Sequence, residues 1–260
     1  FIFKTREFEQ MEMLFFVKPD QKEKDKWFEF WKKDRMQWFL GLGIKKENLR
    51  FKEHGADELA HYAKKAFDIE YKFPWGWDEI EGIHDRGDWD LSNHSKHSGQ
   101  DLSYFDPQTK EKFIPHVIET SVGLNRSLLA FLVEAYEETS GGRSGESNKD
   151  QETVLRFHKK LSPIKAAILP LAKNKPDLVK KAQEVHNLLK PHFMTQYDET
   201  GSIGRRYRRQ DEIGTIYCLT VDFESLEDNA VTVRDRDTME QTRIPIKDLV
   251  NWLRDNIQND

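Results

Sequence analysis

The sequence predicts an α+β region in its first half and a small α/β domain with a mixed sheet in its second half. Three observations point to this division. Residues 1–139 contain several extended runs and only two strongly helical patterns. Residues 140–151 are small, polar and glycine-rich, which is typical of a flexible linker. Residues 152–260 alternate strand and helix patterns, which favours a mixed sheet.

Composition excludes several classes of protein. With 33% charged and 37% hydrophobic residues, and no apolar run near the roughly 20 residues of a membrane span, we expect a soluble cytoplasmic protein with no membrane partner. The single cysteine, Cys218, excludes an intramolecular disulfide and lies in an apolar run, so we expect it to be buried and inert. The net charge of -5 argues against a protein that coats DNA but is compatible with a local nucleic-acid contact. The chain opens at Phe1 without an initiator Met, which indicates a fragment.

The opening residues, 1–17, alternate with period two and predict a strand. One face carries Lys4, Arg6, Phe8, Gln10 and Glu12, and the other carries Phe3, Thr5, Glu7, Glu9, Met11 and Met13. Cations bind phosphate, an aromatic ring stacks on a base, and an amide with a carboxylate binds an ammonium group. The alternative is an exposed edge strand protected by charge. We favour a binding surface because Phe8 would otherwise lie among charged groups.

The next segments predict a helix and a hairpin. Residues 18–26 read as a charged loop, and residues 27–40 carry an aromatic stripe at helical spacing that predicts a core helix. Residues 66–73 predict a strand, and a second strand follows from about Asp78 after a turn at Pro74 and Gly76. Four acidic residues recur with period two in these strands: Asp68, Glu70, Glu79 and Glu81. They either share a cavity that binds magnesium or form solvent-exposed acidic faces.

The polar segment that follows predicts no zinc site. His84, His94 and His97 lack paired spacing and a neighbouring cysteine, and residues 92–100 predict a loop.

Residues 117–139 predict a strand end, a glycine turn at Gly123 and a helix that ends near Thr139. Glu119, Ser121 and Arg126 converge at this junction. A carboxylate, a hydroxyl and a guanidinium together suit an anionic ligand that carries an amine or a metal. The alternative is a surface salt bridge beside an ordinary helix start.

In the second half, the patterns predict four strands and three helices. The strands are at 164–171, 193–197, 217–222 and 230–234, and the helices are at 177–189, 203–212 and 248–257. Four arginines around Tyr207 form a basic patch on the second helix: Arg205, Arg206, Arg208 and Arg209. The patch either contacts nucleic acid or pairs with local acidic residues.

Residues 119–126, Glu-Thr-Ser-Val-Gly-Leu-Asn-Arg, resemble the third signature motif of class II aminoacyl-tRNA synthetases, in the form carried by homodimeric glycyl-tRNA synthetases. Residues 1–17 resemble the second half of motif 2, with Lys4 at a usual arginine, whereas motif 1 and the first half of motif 2 are absent. Residues 75–83 resemble the family segment Trp-Gly-x-Glu-Leu-x-Gly-Ile, and residues 84–91 resemble Arg-x-Asp-x-Asp-Leu, with Gly87 where Thr is common. Residues 201–241 resemble the anticodon-binding domain that the glycyl, histidyl, prolyl and threonyl synthetases share.

The resemblance implies a partial antiparallel-sheet catalytic core at 1–139 and an anticodon-binding domain at 152–260. It implies ATP- and Mg²⁺-dependent activation of glycine and its attachment to tRNA(Gly), by a homodimer when the protein is complete. We expect the isolated 260 residues to be inactive. Two alternatives stay open: a non-catalytic paralogue or accessory subunit that binds nucleic acid, and a plain ATP-binding or interaction module.

The resemblance also implies site residues. The catalytic cations are Arg126, Lys4 and Arg6. The ATP-binding residues are Phe3, Lys4, Thr5, Arg6, Glu7, Phe8, Glu79, Ile80, Gly123, Leu124, Asn125 and Arg126. The glycine-binding residues are Phe8, Glu9, Gln10, Met11, Glu12, Glu119, Thr120, Ser121, Val122 and Gly123. Magnesium would be held by Glu79 and Glu119, and tRNA would be contacted by Arg205, Arg206, Arg208 and Arg209.

Overall fold

A computed structural model of the protein describes residues 1–55, 57–140, 142–143 and 151–258. The chain forms two compact units, Phe1–Val133 and Glu134–Asp260. Most of the predicted linker at 140–151 lies outside the described residues, so domain limits at 139 and 152 stay a prediction. Within the described ranges, no helix has the length and apolar character that crossing a bilayer requires.

The first unit is built on a five-stranded antiparallel sheet. Its elements are β1 (Gln10–Val17), α1 (Gln21–Gly41), β2 (Leu49–Glu53), β3 (Lys65–Phe73), β4 (Gly76–Gly87), α2 (Trp89–Ser98), β5 (Tyr104–Phe105), β6 (Lys112–Phe113), β7 (His116–Gly123) and α3 (Leu124–Ala135). The strand order is β1-β7-β4-β3-β2. The predicted antiparallel sheet is therefore present in this unit.

One face of this sheet is covered by α1. Phe15 of β1 packs on Trp27 and Trp31, with ring centroids 4.7 and 5.3 Å apart. Two ion pairs from α1 reach β4: Lys24 Nζ lies 2.8 Å from Asp85, and Arg35 Nε lies 2.7 Å from Glu81. Because side chains alternate along a strand, the residues between these positions point to the opposite face of the sheet.

The opening strand is shorter than predicted. Residues 1–9 form turns and bends, and β1 begins at Gln10. The reason is the partner strand, because β7 ends at Gly123 opposite Gln10 and the chain then enters α3. The last backbone bond of this pairing joins Leu124 N to Glu9 O at 2.9 Å. Lys4, Arg6 and Phe8 therefore do not share a strand face.

Three helix predictions need correction. Helix α1 starts at Gln21, within the predicted charged loop, because the Asp20 side chain accepts a hydrogen bond from Glu23 N at 2.9 Å and caps it. Residues 89–98 form α2 where a loop was predicted, and Gly99 ends that helix in a left-handed conformation. Helix α3 ends at Ala135, before Thr139, because the chain continues as a strand.

The second unit contains a mixed sheet, as predicted. Its elements are β8 (Tyr136–Ser140), β9 (Gln151–Leu155), β10 (Ala166–Pro170), α4 (Pro176–Leu189), β11 (Thr195–Tyr197), α5 (Ile203–Glu212), β12 (Tyr217–Val221), α6 (Ser225–Asp228), β13 (Ala230–Asp235), β14 (Gln241–Pro245) and α7 (Leu249–Gln258). In the order β11-β10-β12-β13-β14, β10 is parallel to both neighbours and the last two pairings are antiparallel. The β8–β9 hairpin and β14 were not predicted.

The interior of the second unit holds both apolar and charged groups. Cys218 is buried, as predicted, and burial raises the pKa of its thiol, which keeps it protonated. Asp211 is buried as well and accepts hydrogen bonds from Arg234 Nη1 and Nη2 at 2.9 and 3.0 Å and from Arg143 Nε at 3.1 Å. A buried carboxylate thus holds two buried arginines together.

Candidate functional site

A pocket of about 220 Å³ lies in the first unit, at the place where three separate segments meet. The opening residues supply most of one wall, the start of β4 supplies Glu79, and the junction of β7 with α3 supplies the rest. The lining residues are Ile2, Phe3, Lys4, Thr5, Phe8, Glu9, Gln10, Glu79, Ser121, Gly123, Asn125 and Arg126. The structure thus brings together the three segments that the sequence singled out.

Arg126 is held at the edge of this pocket by contacts on two sides. Its Nη1 donates to the backbone oxygen of Glu79 at 3.0 Å and lies 3.0 Å from Oε2 of the same residue. Its guanidinium lies 4.6 Å from the centroid of the Phe3 ring. Gly123 gives Arg126 room in this arrangement, because a Cβ there would lie 3.3 Å from Cγ and Cδ of Arg126, which is tighter than an ordinary contact. The cation is therefore fixed in direction while its side chain stays partly exposed.

Most of the predicted ATP-binding residues line the pocket, but Arg6, Glu7, Ile80 and Leu124 do not. Ile80 is buried in the core because of a β-bulge: Ile69 pairs with Glu81 and Glu70 with Glu79, which leaves Ile80 as the extra residue. Its side chain is buried and does not line the pocket, so its assignment to ATP binding stays a prediction. Of the two predicted phosphate-side cations near the start of the chain, Lys4 borders the pocket and Arg6 does not.

Two aromatic side chains of the opening segment both reach the pocket, although strand alternation assigned them to opposite faces. Phe3 contacts Arg126 and packs edge-on against Phe73 and Trp75, with centroids 5.2 and 5.7 Å apart. Phe8 lines the pocket but is 60% exposed, so its ring has an open face. Ile2, which lines the pocket, was missed because no motif or alternation signal marks it.

The predicted glycine-binding residues divide between the two faces of the sheet. Gln10 Nε2 donates to Ser121 Oγ at 3.4 Å, and both residues line the pocket. Met11, Thr120 and Val122 lie on the face covered by α1, since they alternate with Gln10 and Ser121 along paired strands. Their side chains point away from the pocket, which corrects their assignment.

Two predicted acidic residues lie on the open face without lining the pocket. Glu12 is directly opposite Ser121 in the β1–β7 pairing, and Glu119 precedes Ser121 by two positions on β7. Glu119 is buried and accepts a hydrogen bond from Arg86 Nη1 at 2.6 Å, while Nδ1 of His84 lies 3.8 Å from its Oε2. Burial is the main cause that lowers the pKa of His84, which favours the neutral imidazole beside this carboxylate.

The acidic residues of the hairpin do not form a shared magnesium cavity. Each contacts a different cationic or imidazole side chain, at these distances: Asp68 to His54 at 2.8 Å, Glu70 to Arg50 at 2.6 Å, Glu81 to Arg35 at 2.7 Å and Glu79 to Arg126 at 3.0 Å. Burial raises the pKa of the Asp68 carboxyl, and the hydrogen bond with His54 opposes that shift. Across the ranges that the structure describes, no three His, Cys, Asp or Glu side chains are grouped as a metal site requires. Because Glu119 is also engaged by an arginine, the pair of Glu79 and Glu119 does not fit a protein-held magnesium ion.

The arginine-rich helix α5 is only partly a surface feature. Arg206 is 2% exposed and donates to the backbone oxygens of Pro170 and Gly201, so its assignment to tRNA contact is wrong. Arg209 pairs with Asp198 at 2.5 Å, and Arg208 Nε lies 3.4 Å from Glu212. Arg205 is exposed. The buried side of this helix thus contains a structural arginine, and the basic surface is smaller than the sequence indicated.

Comparisons with known proteins agree with both halves of this description. The family described as anticodon binding domain matches residues 165–256. The glycine–tRNA ligase of Clostridium acetobutylicum is 54% identical over 260 residues, which is 99% of this chain and 54% of that protein. The enzyme of the same name from Treponema denticola is 51% identical over 100% of this chain and 57% of its own length, and that of Clostridium perfringens is 56% identical over 96% and 52%.

The chain spans about half the length of the curated relatives it matches. The similarity is high and covers both compact units, so it does not rest on the anticodon binding domain alone. By sequence, the chain therefore belongs to the family of the glycine–tRNA ligases.

Proposed function

We propose that the protein containing this chain activates glycine with ATP and attaches the glycyl group to tRNA(Gly), working in the cytoplasm as a homodimer. One observation carries the proposal: identity of 51–56% with glycine–tRNA ligases extends over the segments that meet at the pocket. The anticodon binding domain supports the tRNA part of the proposal.

The chemistry fits a pocket that has cations and few acid–base groups. A carboxylate oxygen of glycine attacks the α-phosphorus of ATP, and pyrophosphate leaves. This step requires positioning and charge neutralisation more than proton transfer. Arg126 and Lys4 border the pocket and would face the phosphates. Lys4 provides charge without the two-pronged geometry of an arginine. Phe8, with its open ring face, would support the adenine.

The amino acid would bind at the polar end of the pocket, near Gln10 and Ser121. These side chains already contact each other at 3.4 Å, which leaves little room between them for a larger substrate. Small size and polarity favour glycine, because an added methyl group would have neither space nor an apolar partner. We propose magnesium only as an ion carried on the phosphates of ATP, since Glu119 and Glu79, the two carboxylates assigned to it, are each paired with an arginine.

The proposal is tested by ATP–pyrophosphate exchange with the complete protein. We expect exchange with glycine and none with alanine, serine or no amino acid. Exchange that is absent, or that does not depend on glycine, would refute the proposal. A non-catalytic accessory subunit would bind tRNA in the same preparation and show no exchange.

The tRNA contact is tested by charge reversal on α5. We expect the double variant Arg205→Glu, Arg208→Glu to weaken tRNA binding. The slope of log affinity against log salt concentration should become shallower by about one for each phosphate contact that is lost. Glycine-dependent exchange should stay unchanged, and Lys180→Glu, an exposed position on α4, is the matched control. An unaltered tRNA affinity in the double variant would exclude this surface from tRNA contact.

A further inference from the structure

Arg86 occupies an irregular position in β4. In the pairing of β4 with β7, Asp85 lies opposite Ile118 and Gly87 lies opposite Val117, so Arg86 is an extra residue in a β-bulge. Gly87 has a φ of +59°, a left-handed conformation that glycine adopts more readily than residues with a side chain. Bulges of this kind redirect a side chain and are frequent beside active sites. Here the bulge directs Arg86 toward Glu119.

The guanidinium of Arg86 is held on three sides. Its Nε and Nη2 donate to the two carboxylate oxygens of Asp90 at 2.7 and 2.9 Å. Its Nη1 donates to Glu119 Oε2 at 2.6 Å, and its Cζ lies 4.1 Å from the centroid of the Tyr62 ring. The hydrogen bonds with Asp90 are the main cause that raises the pKa of Arg86, so the group is charged throughout the physiological range.

This arrangement fixes the direction of the Glu119 carboxylate. Glu119 is 5% exposed, and a buried carboxylate requires a hydrogen-bond partner. Arg86 engages Oε2, which fixes the direction of the carboxylate. Asp90 balances the charge of Arg86, so the negative charge of Glu119 remains to attract a cationic group. Glu119 lies on the same face of β7 as Ser121, which lines the pocket.

We propose that Arg86 is a positioning residue that fixes Glu119 as the acceptor for the ammonium group of glycine, with Asp90 as its counter-charge. The inference rests on the proposed function. Arg86 and Asp90 lie in the segment that resembles Arg-x-Asp-x-Asp-Leu, but that resemblance assigns neither of them a role. Both act through Glu119 without touching the substrate themselves.

The test is Arg86→Gln in the complete protein, measured by glycine-dependent pyrophosphate exchange. We expect the KM for glycine to rise about ten- to hundred-fold, since one charge-assisted hydrogen bond of the site is lost. The KM for ATP should change less than about two-fold, because Arg86 does not border the nucleotide part of the pocket. Arg86→Lys should recover part of the glycine affinity, because it keeps the charge and loses the fork geometry.

Two further variants make the result decisive. Arg156→Gln is the matched control, because Arg156 also bridges two carboxylates, those of Glu137 and Asp237, in the second unit. Asp90→Asn leaves the charge of Arg86 unbalanced beside the ammonium group. We therefore expect the KM for glycine to rise, though less than in Arg86→Gln, and the KM for ATP to stay unchanged. This variant decides the question if Arg86→Gln fails to fold.

The outcomes separate this inference from the proposed function. A wild-type protein without glycine-dependent exchange would refute the proposed function. An active wild type together with an unchanged KM for glycine in Arg86→Gln, or with equal rises in both KM values, would refute the positioning role alone.

Discussion

Arg126→Ala in the complete protein is expected to lower glycine-dependent pyrophosphate exchange by about 100-fold or more, the scale seen when a catalytic site loses one fixed positive group. Arg126 is the basic residue on the helix side of the pocket, and its direction is fixed by Glu79 and Phe3. Its loss removes charge next to the phosphates and releases Glu79, which adds a negative charge to the same pocket.

Two variants control this experiment. Arg254→Ala removes an exposed arginine of α7 and should leave the exchange rate unchanged. Arg126→Lys keeps a charge but cannot reproduce the flat guanidinium against Phe3, so we expect an intermediate rate. A wild-type rate for Arg126→Ala would remove this residue from the site and contradict its assignment to the phosphates.

Asp211→Asn is expected to destabilise the second unit by about 3–5 kcal/mol, the usual effect of removing one member of a buried ion pair. Asparagine still accepts a hydrogen bond but carries no charge, so Arg234 and Arg143 would remain buried without their shared counter-ion. Because the chain has two units, a single unfolding transition would mix their stabilities. Hydrogen exchange of the β12 backbone amides reports on this unit alone.

The matched control is Asp255→Asn, an exposed aspartate of α7, for which we expect a change within about 0.5 kcal/mol. Protection of the β12 amides that is equal in Asp211→Asn and wild type would contradict the role of Asp211. The same experiment bears on function, because unfolding of this unit should abolish tRNA binding while glycine-dependent exchange persists.

Local signals in the sequence were sufficient for several elements. Pro176 near the start of α4 and the glycine turn at Gly123 each mark a boundary within a few residues, and the structure places the boundary there. The junction that ends in Arg126 could be predicted because its groups lie within one short segment. The start of β1 could not be predicted in this way. It begins opposite the last residue of its partner strand β7, and that partner lies more than a hundred positions further along the chain.

The errors in the site have a similar cause. Arg206 is buried on the inward side of α5, from which Ile203 and Tyr207 pack against the core, but a guanidinium flanked by other arginines gives no sequence signal of burial. The contact of Arg86 with Glu119 depends on a bulge and joins two strands, and alternation along either strand does not reveal it. Alternation along residues 1–17 already places Met11 and Gln10 on opposite faces, whereas the resemblance assigns both of them to the glycine site.

The central claim is that one pocket, formed by the opening residues, the start of β4 and the turn before Arg126, binds both ATP and glycine. A crystal structure of the complete protein with glycine and a non-hydrolysable ATP analogue tests it most directly. The account predicts the adenine against Phe8, the phosphates beside Arg126 and the ammonium of glycine within hydrogen-bonding distance of Glu119. A nucleotide bound elsewhere, with these three side chains unoccupied, would contradict it.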